Sequence, residues 1–433
     1  MADTIFAMAS APGRAAIAVW RISGPSTAQA IRNLTGCALP PARRAALRIL
    51  VDPASQEPID QALTLWFPGP ASFTGEDSAE LHTHGGRAVA EKLGEALGAM
   101  AGLRSAEPGE FARRAFINGK LDLTQAEAIA DLVAADTDRQ RRQAQLQAGG
   151  ALKALYDGWR TEIIRLRAHL DVALEFPDDD VGDPIAGLGG DIERLRVAVL
   201  AHLRDARRGE RLREGVTIAV IGAPNAGKSS LVNSLAGRPV AIVSGEPGTT
   251  RDAIEVHLDI GGYPVTLVDT AGLREAEGAI EAEGVALSGR RAAAADLVLA
   301  LFAADAPPDE ATLRLCDERA ISAVSKTDLA EAKDGAIGFS TRTGVGMAGL
   351  LSAIEERVRV VAADGAAAAP SRARHREALA ACAAALEAAL ATESTELAAE
   401  ELRVAGDALG RLTGRVDVEE VLDAIFRGFC IGK

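Results

Sequence analysis

No stretch of about 18 uncharged apolar residues occurs in the 433-residue sequence, so no membrane-spanning helix is expected. The opening MADTIFAMAS lacks a basic segment followed by an apolar one, so no secretory signal is expected either. Cysteine is scarce: Cys37, Cys316, Cys382 and Cys430 are scattered, with no C-x-x-C pair. That argues against a zinc site or a disulfide framework and fits a reducing, cytoplasmic setting. Histidine is scarce as well, and only His82 and His84, in H-T-H, lie close together. Two residues do not complete a metal ligand set, so the plain reading is a strand or loop with two polar side chains. Basic residues are outnumbered, 47 Lys plus Arg against 61 Asp plus Glu, for a net charge of -14. A chain so acidic does not look like a free-standing nucleic-acid binder, since phosphate contacts need a basic surface; a local basic patch is still compatible with it.

What remains is the composition of a globular protein, 48% apolar and 25% charged, which excludes global disorder. The length exceeds what one core covers and implies two or three domains. Residues 1–118 mix short apolar runs such as IAVWRI (17–22) and LTLWF with turns such as His84-Gly85-Gly86, an α+β pattern. Residues 119–213 change to long helix. One helix is expected through LDLTQAEAIADLVAADTDRQRRQAQLQ and a second through ALKALYDGWRTEIIRLRAHLDVALEF, ended by FPDDD (176–180). A third runs through DIERLRVAVLAHLRDARRGERL towards Gly215. Residues 214–361 alternate β-type runs (VTIAVIG, IEVHLDI, PVTLVD, DLVLALF, AISAVS) with other segments, implying a parallel sheet with helices on both faces. AADGAAAAPS (362–371) is a linker, and residues 362–433 return to helix. A helical domain is thus interrupted by an inserted α/β domain.

The strongest chemical signal is GAPNAGKSS, which fits G-x-x-x-x-G-K-[ST] from Gly222 to Ser229, after a strand and before a helix. Backbone N–H groups of this turn wrap phosphates, so Asn225, Ala226, Gly227, Lys228, Ser229 and Ser230 would hold a nucleotide. Lys228 would pair with the β- and γ-phosphates and Ser229 would give its hydroxyl to Mg²⁺. Asp269-Thr270-Ala271-Gly272 ends the strand PVTLV, where an acidic residue suits Mg²⁺ and a glycine lets a backbone N–H reach the γ-phosphate. Gly248 to Asp252, GTTRD, has switch character. Guanine recognition uses N-K-x-D; here Ser325-Lys326-Thr327-Asp328 keeps Lys326 and Asp328 but has Ser325 for the Asn. Asp328 pairs with guanine's two donors and would face adenine's acceptor, so GTP is favoured, with ATP as the alternative. Loss of one neutral hydrogen bond costs about 0.5–1.5 kcal/mol, which lowers affinity without inverting specificity. Phe339 to Gly344, FSTRTG, stands in the place of the last base loop.

With these residues in hand, the whole chain resembles the MnmE (TrmE) family of tRNA uridine-modification GTPases. The resemblance rests on PGRAAIAVWRISG, FTGEDSAELHTHGG, PGEFARRAFINGKLDLTQAEAIADL, GTTRD, DTAGLRE and the ending Cys430-Ile431-Gly432-Lys433. It implies an N-terminal domain (1–118) that binds a formyl-tetrahydrofolate and dimerises, a helical domain in two parts (119–213 and 362–433), and a Ras-like P-loop G domain (214–361). It implies a homodimer acting with the flavoprotein MnmG (GidA), as a heterotetramer, to add a carboxymethylaminomethyl group at C5 of the wobble uridine, with tRNA held mainly through the complex. On the matching motifs Arg21, Glu80, Lys120 and Lys433 would line the folate site, and Cys430 would have a catalytic role. The family uses K⁺ held when two G domains pair. Asn225, Ser244, Glu246 and Thr249 would surround it, Thr250 would join Ser229 on Mg²⁺, and Gly245, Pro247 and Gly248 complete the nucleotide loop. Pro247 departs from the smaller residue expected there; it fixes φ and removes an N–H. Glu281 matches the catalytic glutamate that orients the attacking water. The alternative is a regulatory or ribosome-assembly GTPase switch without folate chemistry, which would lack both the N-terminal segments and the C-x-G-K tail.

Overall fold

A computed structural model of the chain describes residues 3–175, 184–242, 255–269, 289–332, 336–362, 369–416, 422, 425–429 and 431–432. The chain divides into two compact units, Met1–Ala130 with Gly410–Lys433, and Asp131–Leu409.

The first unit is built on six strands: β1 (Thr4–Met8), β2 (Ala15–Ser23), β3 (Ala46–Val51), β4 (Pro58–Phe67), β5 (Ser78–Gly85) and β6 (Leu103–Ser105). They form one sheet in the order β3-β4-β5-β2-β1-β6, antiparallel except for the β1–β6 pair. Side chains alternate across a pleated strand, so Trp20 and Ile22 of β2 and Ala79 and Leu81 of β5 share one face. They pack there with Ile31 and Leu34 of helix Thr27–Thr35 and with Leu93 and Leu97 of helix Arg87–Gly98. The same alternation turns Arg21, Glu80 and His82 to the opposite face. The end of the chain joins this unit: Leu422, Phe426 and Phe429 form one cluster with Ala112, Leu123 and Ala126. Two glycines make that approach possible. A Cβ on Gly109 (φ +70°) would lie 2.6 Å from the Phe426 carbonyl oxygen, and one on Gly432 (φ +97°) would lie 2.8 Å from Ala9 Cα. Both the space and the left-handed backbone exclude a larger residue.

The second unit joins helices to an α/β layer. The single helix expected through 121–147 is in fact two: Leu123–Ala134, most of which belongs to the first unit, and Asp138–Ala148 in the second. The break is chemical: the Thr137 hydroxyl accepts from Gln140 N while the Gln140 side chain accepts from Thr137 N, a capping box that starts a new helix. Helices Ala151–Glu175 and Pro184–Glu214 follow, and the latter runs through Gly215 into the sheet. The strands are β7 (Val216–Gly222), β8 (Glu255–Ile260), β9 (Tyr263–Asp269), β10 (Leu297–Ala303), β11 (Ala320–Ser325) and β12 (Ile337–Gly338), in the order β12-β11-β10-β7-β9-β8. The five from β12 to β9 are parallel, as apolar runs such as VLAL anticipate. Strand β8 departs from the expected parallel sheet by pairing antiparallel with β9. Gly261 (φ +61°) and Gly262 (φ +85°) turn the chain in two residues, which only a hairpin allows. Helices Lys228–Ala236 and Met347–Val361 bury Leu231, Leu235, Leu350 and Ile354 against this sheet.

The chain enters and leaves the α/β layer at one place. Asp131 Oδ1 accepts from Arg213 Nε (2.9 Å), before β7, and from Arg372 Nη2 (2.7 Å), just ahead of helix Ala373–Ala391. Arg211 Nε donates to Asp296 Oδ1 (2.7 Å), and Asp296 Oδ2 accepts from Thr217 N (3.1 Å), which fixes the incoming helix to the base of the sheet. Among the described residues no helix is long and apolar enough to cross a membrane.

Candidate functional site

The sharpest arrangement of polar groups lies where β7 ends. The buried run of β7 delivers Gly222 so close to β10 that a Cβ would meet the Leu301 carbonyl oxygen at 2.5 Å. The loop then turns through Asn225 (φ +62°) and Gly227 (φ +91°) into helix Lys228–Ala236. Lys228 is buried, and its Nζ donates to the carbonyls of Gly222 (2.8 Å) and Ala223 (2.9 Å). Burial pulls its pKa down, and the charges of Asp269 and Asp309 oppose that pull. A desolvated ammonium whose hydrogen bonds among the described residues go to its own loop's carbonyls is poised to turn to a phosphate. Next to it the Ser229 hydroxyl donates to Asp269 Oδ2 (2.8 Å), and Asp269 is fully buried at the end of β9. A hydroxyl backed by a buried carboxylate is an all-oxygen donor set, the kind Mg²⁺ takes. Arg291 Nη1 donates to the Asp269 carbonyl (2.8 Å) and steadies the end of that strand.

Beyond the phosphate loop lie the residues expected to read the base. Ser325, buried at the end of β11, donates to the Ala226 carbonyl (2.6 Å) and lies 3.3 Å from that of Phe302. The smaller residue in the N-K-x-D position thus ties the phosphate loop to the end of β11. Lys326 (φ +58°) pairs with Asp305 at 3.1 Å, and the two border a hollow lined also by Pro224, Asn225 and Phe302. Asp328 accepts from the Ser340 hydroxyl (2.6 Å) and pairs with Arg342 (2.8 Å). The Ser340 hydroxyl, with the charges of Arg342 and Lys326, holds its carboxyl below the usual range. An ionised acceptor pair is what guanine's two donors require.

A second polar site lies on the other face of the first unit's sheet. Arg21 of β2 and Glu80 of β5 are directly opposite in register, and Arg21 Nη2 donates to Glu80 Oε1 (3.1 Å). The Arg21 guanidinium lies 5.5 Å from the Phe73 ring centroid and 5.8 Å from that of Phe111. Its Nη1 donates to the carbonyl of Gly432 (3.3 Å). Lys120 reaches the same loop, donating to the Pro70 carbonyl (3.0 Å), while Gly75 packs so tightly on Asn118 and Lys120 that a Cβ would lie 3.0 Å from Asn118 Cβ. Arg21 therefore links Glu80 to the tail at Gly432, and both Arg21 and Lys120 reach the segment 70–76.

Of the residues expected from sequence, the structure brings together Asn225, Ala226, Gly227, Lys228, Ser229, Ser230 and Asp269 at one place, with Ser325, Lys326 and Asp328 along its side. Ser244, Gly245, Glu246, Pro247, Gly248, Thr249, Thr250, Thr270, Ala271, Gly272, Glu281, Cys430 and Lys433 lie outside the described residues. Two residues named from sequence have partners the sequence did not reveal. Ser340 lies in FSTRTG, read as the last base loop, but nothing in that stretch announces its bond to Asp328. His82 stands two residues after Glu80 on a strand, which is signal enough to place both on one face.

Two family models match the chain: GTP-binding protein TrmE N-terminus over residues 4–120, and MnmE helical domain over residues 123–430. The tRNA modification GTPase MnmE of Parvibaculum lavamentivorans is 54% identical over 100% of both chains. That of Paramagnetospirillum magneticum is 51% identical, again over 100% of both. The human protein named 5-taurinomethyluridine-[tRNA] synthase subunit GTPB3, mitochondrial, is 47% identical over 99% of this chain and 93% of its own. Identity of this degree over the full length, together with the two family models, a phosphate loop and a tail that returns to the N-terminal sheet, shows that the chain belongs to the MnmE (TrmE) family of tRNA modification GTPases.

Proposed function

We propose that the chain is a K⁺-activated GTPase whose cycle depends on pairing of two G domains. With a flavoprotein of the MnmG (GidA) type it adds a carboxymethylaminomethyl group to C5 of the wobble uridine of certain tRNAs. In this reading residues 1–118 form the folate-binding and dimerising domain, 119–213 and 362–433 the helical domain, and 214–361 the G domain. Lys228 binds the β- and γ-phosphates, Ser229 and Thr250 hold Mg²⁺ with Asp269 behind them, and Asp328 reads guanine. The Asn225 side-chain amide, carried on a left-handed turn of the phosphate loop, offers a carbonyl oxygen to K⁺; Ser244, Glu246 and Thr249 supply the rest. K⁺ so held adds positive charge near the transferring phosphoryl, and Glu281 orients the attacking water. Arg21, Lys120 and Lys433 suit the carboxylates of a formyl-tetrahydrofolate and Glu80 its paired pterin donors, with Cys430 beside them.

Homodimer formation is supported by an apolar strip on the edge of the first sheet. Leu47 and Ile49 of the edge strand β3, with Leu63 opposite Leu47, are 59%, 56% and 41% exposed. A net charge of -14 supports a complex in which the flavoprotein makes most of the contacts to tRNA phosphates, and the scattered cysteines fit its placement in the cytoplasm. The observation that carries the reading is the bond from Arg21 to the Gly432 carbonyl. It joins the C-terminal signature to the N-terminal sheet, a connection a plain GTPase switch has no use for. The test is nucleoside analysis of tRNA from a deletion strain. Loss of the C5-modified wobble uridine, restored by the wild-type chain, is expected; an unchanged tRNA profile sinks the proposal.

A further inference from the structure

The two histidines of H-T-H have different partners in the fold. His84 is mostly exposed, with Nδ1 2.8 Å from Asp60 Oδ1 and its backbone N–H donating to Asp60 Oδ2 (2.7 Å). His82 instead faces the second polar site. It stands between Val19 and Leu63 in register, on the same face as Glu80, and its Nε2 lies 3.3 Å from Glu80 Oε2. Glu80 Oε1 already accepts from Arg21 (3.1 Å). The two oxygens of one carboxylate are thus each held by a different donor.

An ionised carboxylate offers about four lone-pair positions. Among the described residues Arg21 takes one on Oε1 and His82 one on Oε2, which leaves a position open on each oxygen. Two acceptors fixed in one plane match two parallel N–H donors, the pattern at the amino end of a pterin ring. With Arg21 alone Glu80 keeps its freedom to rotate, and a ligand must then order the carboxylate as it binds, which weakens binding.

We infer that His82 is a positioning residue of the N-terminal site, fixing the Glu80 carboxylate for the paired N–H donors of a folate's pterin. This rests on the folate reading above. It assigns His82 no proton transfer and no direct contact with the one-carbon group.

The test measures binding of 5-formyltetrahydrofolate to the full chain by titration calorimetry, for wild type, His82→Ala, His82→Gln and His84→Ala. A glutamine amide nitrogen sits near the place of imidazole Nε2 and donates a hydrogen bond, so it restores the contact. His82→Ala should weaken binding about five- to tenfold, the share of one hydrogen bond. His82→Gln should recover most of that, and His84→Ala should bind like wild type. Unchanged affinity in His82→Ala overturns the inference and leaves the folate reading intact. Equal loss in His82→Ala and His82→Gln, accompanied by a matching fall in melting temperature, also overturns it and makes His82 a structural residue. Wild type that does not bind the folate at all removes the reading and the inference together.

Discussion

Replacing Ser325 by Ala isolates what that hydroxyl does. In the folded chain Ser325 Oγ donates to the Ala226 carbonyl at 2.6 Å, and both residues are buried, 3% and 2% exposed. Removing the donor leaves a buried carbonyl short of a partner at the turn that wraps the phosphates. A buried group so deprived costs about 1–3 kcal/mol. Part of that is relieved if water enters beside the loop, so about 1–2 kcal/mol remains; a nucleotide-free loop that has lost the tie relaxes, and binding must restore its shape, which lowers nucleotide affinity by a factor of about five to thirty. The tie acts on the phosphate loop, which meets groups that GTP and GDP share, so both should weaken alike. Asp328 keeps its bonds to Ser340 and Arg342, so discrimination against ATP should not change. Titration with a fluorescent guanine nucleotide, with competition by ATP, gives both numbers. Affinity within twofold of wild type would refute the reasoning, because the bond would then contribute nothing to the loop. A collapse of guanine-over-adenine preference would contradict it differently, by making Ser325 a reader of the base.

Other predictions concern the tail and the helices. Gly432→Ala places a methyl 2.8 Å from Ala9 Cα at φ +97°, so it should displace the tail and abolish most 5-formyltetrahydrofolate binding while GTP affinity stays at the wild-type value; intact folate binding contradicts the tail's role. His202, buried against Trp159 with its Nε2 3.1 Å from the Tyr156 hydroxyl, has its pKa pushed down to about 4 by burial. The unfolded chain therefore takes up this proton near pH 6.5 and the folded chain only near 4, so stability present above pH 6.5 is lost as pH falls through that window, by at most about 3 kcal/mol. Chemical denaturation at pH 7 and pH 4.5 should show a smaller loss in His202→Gln than in wild type, and equal losses would contradict the assignment.

Much of this was legible in the sequence because it depends on backbone geometry. Gly222 and Gly227 bracket a turn whose spacing alone forces the chain to wrap an anion, and the strands β7 and β10 follow from apolar runs buried on both faces. Two local signals were present but outweighed. T-D-R-Q at 137–140 is a capping box inside a stretch whose helical periodicity runs on without a break. Gly261-Gly262 between two β-type runs is a hairpin signal inside a pattern of alternating strands and helices that suggests parallel pairing. The rest was not local. Ser325 looks like a lost hydrogen bond until Ala226, 99 positions earlier, is placed beside it. Arg21 looks like an ordinary strand residue until Gly432, 411 positions later, closes on it. Such contacts arise from the packing of distant segments, which no spacing rule within one segment contains.

The central claim is that K⁺ and the pairing of two G domains activate GTP hydrolysis. It is tested most directly by the steady-state hydrolysis rate in KCl and in NaCl at equal ionic strength, over a range of protein concentrations. K⁺-dependent pairing gives a faster rate in KCl, with activity per chain rising as concentration rises, despite Pro247 in the loop. Equal slow rates in both salts, independent of concentration, contradict it and transfer activation to a partner protein.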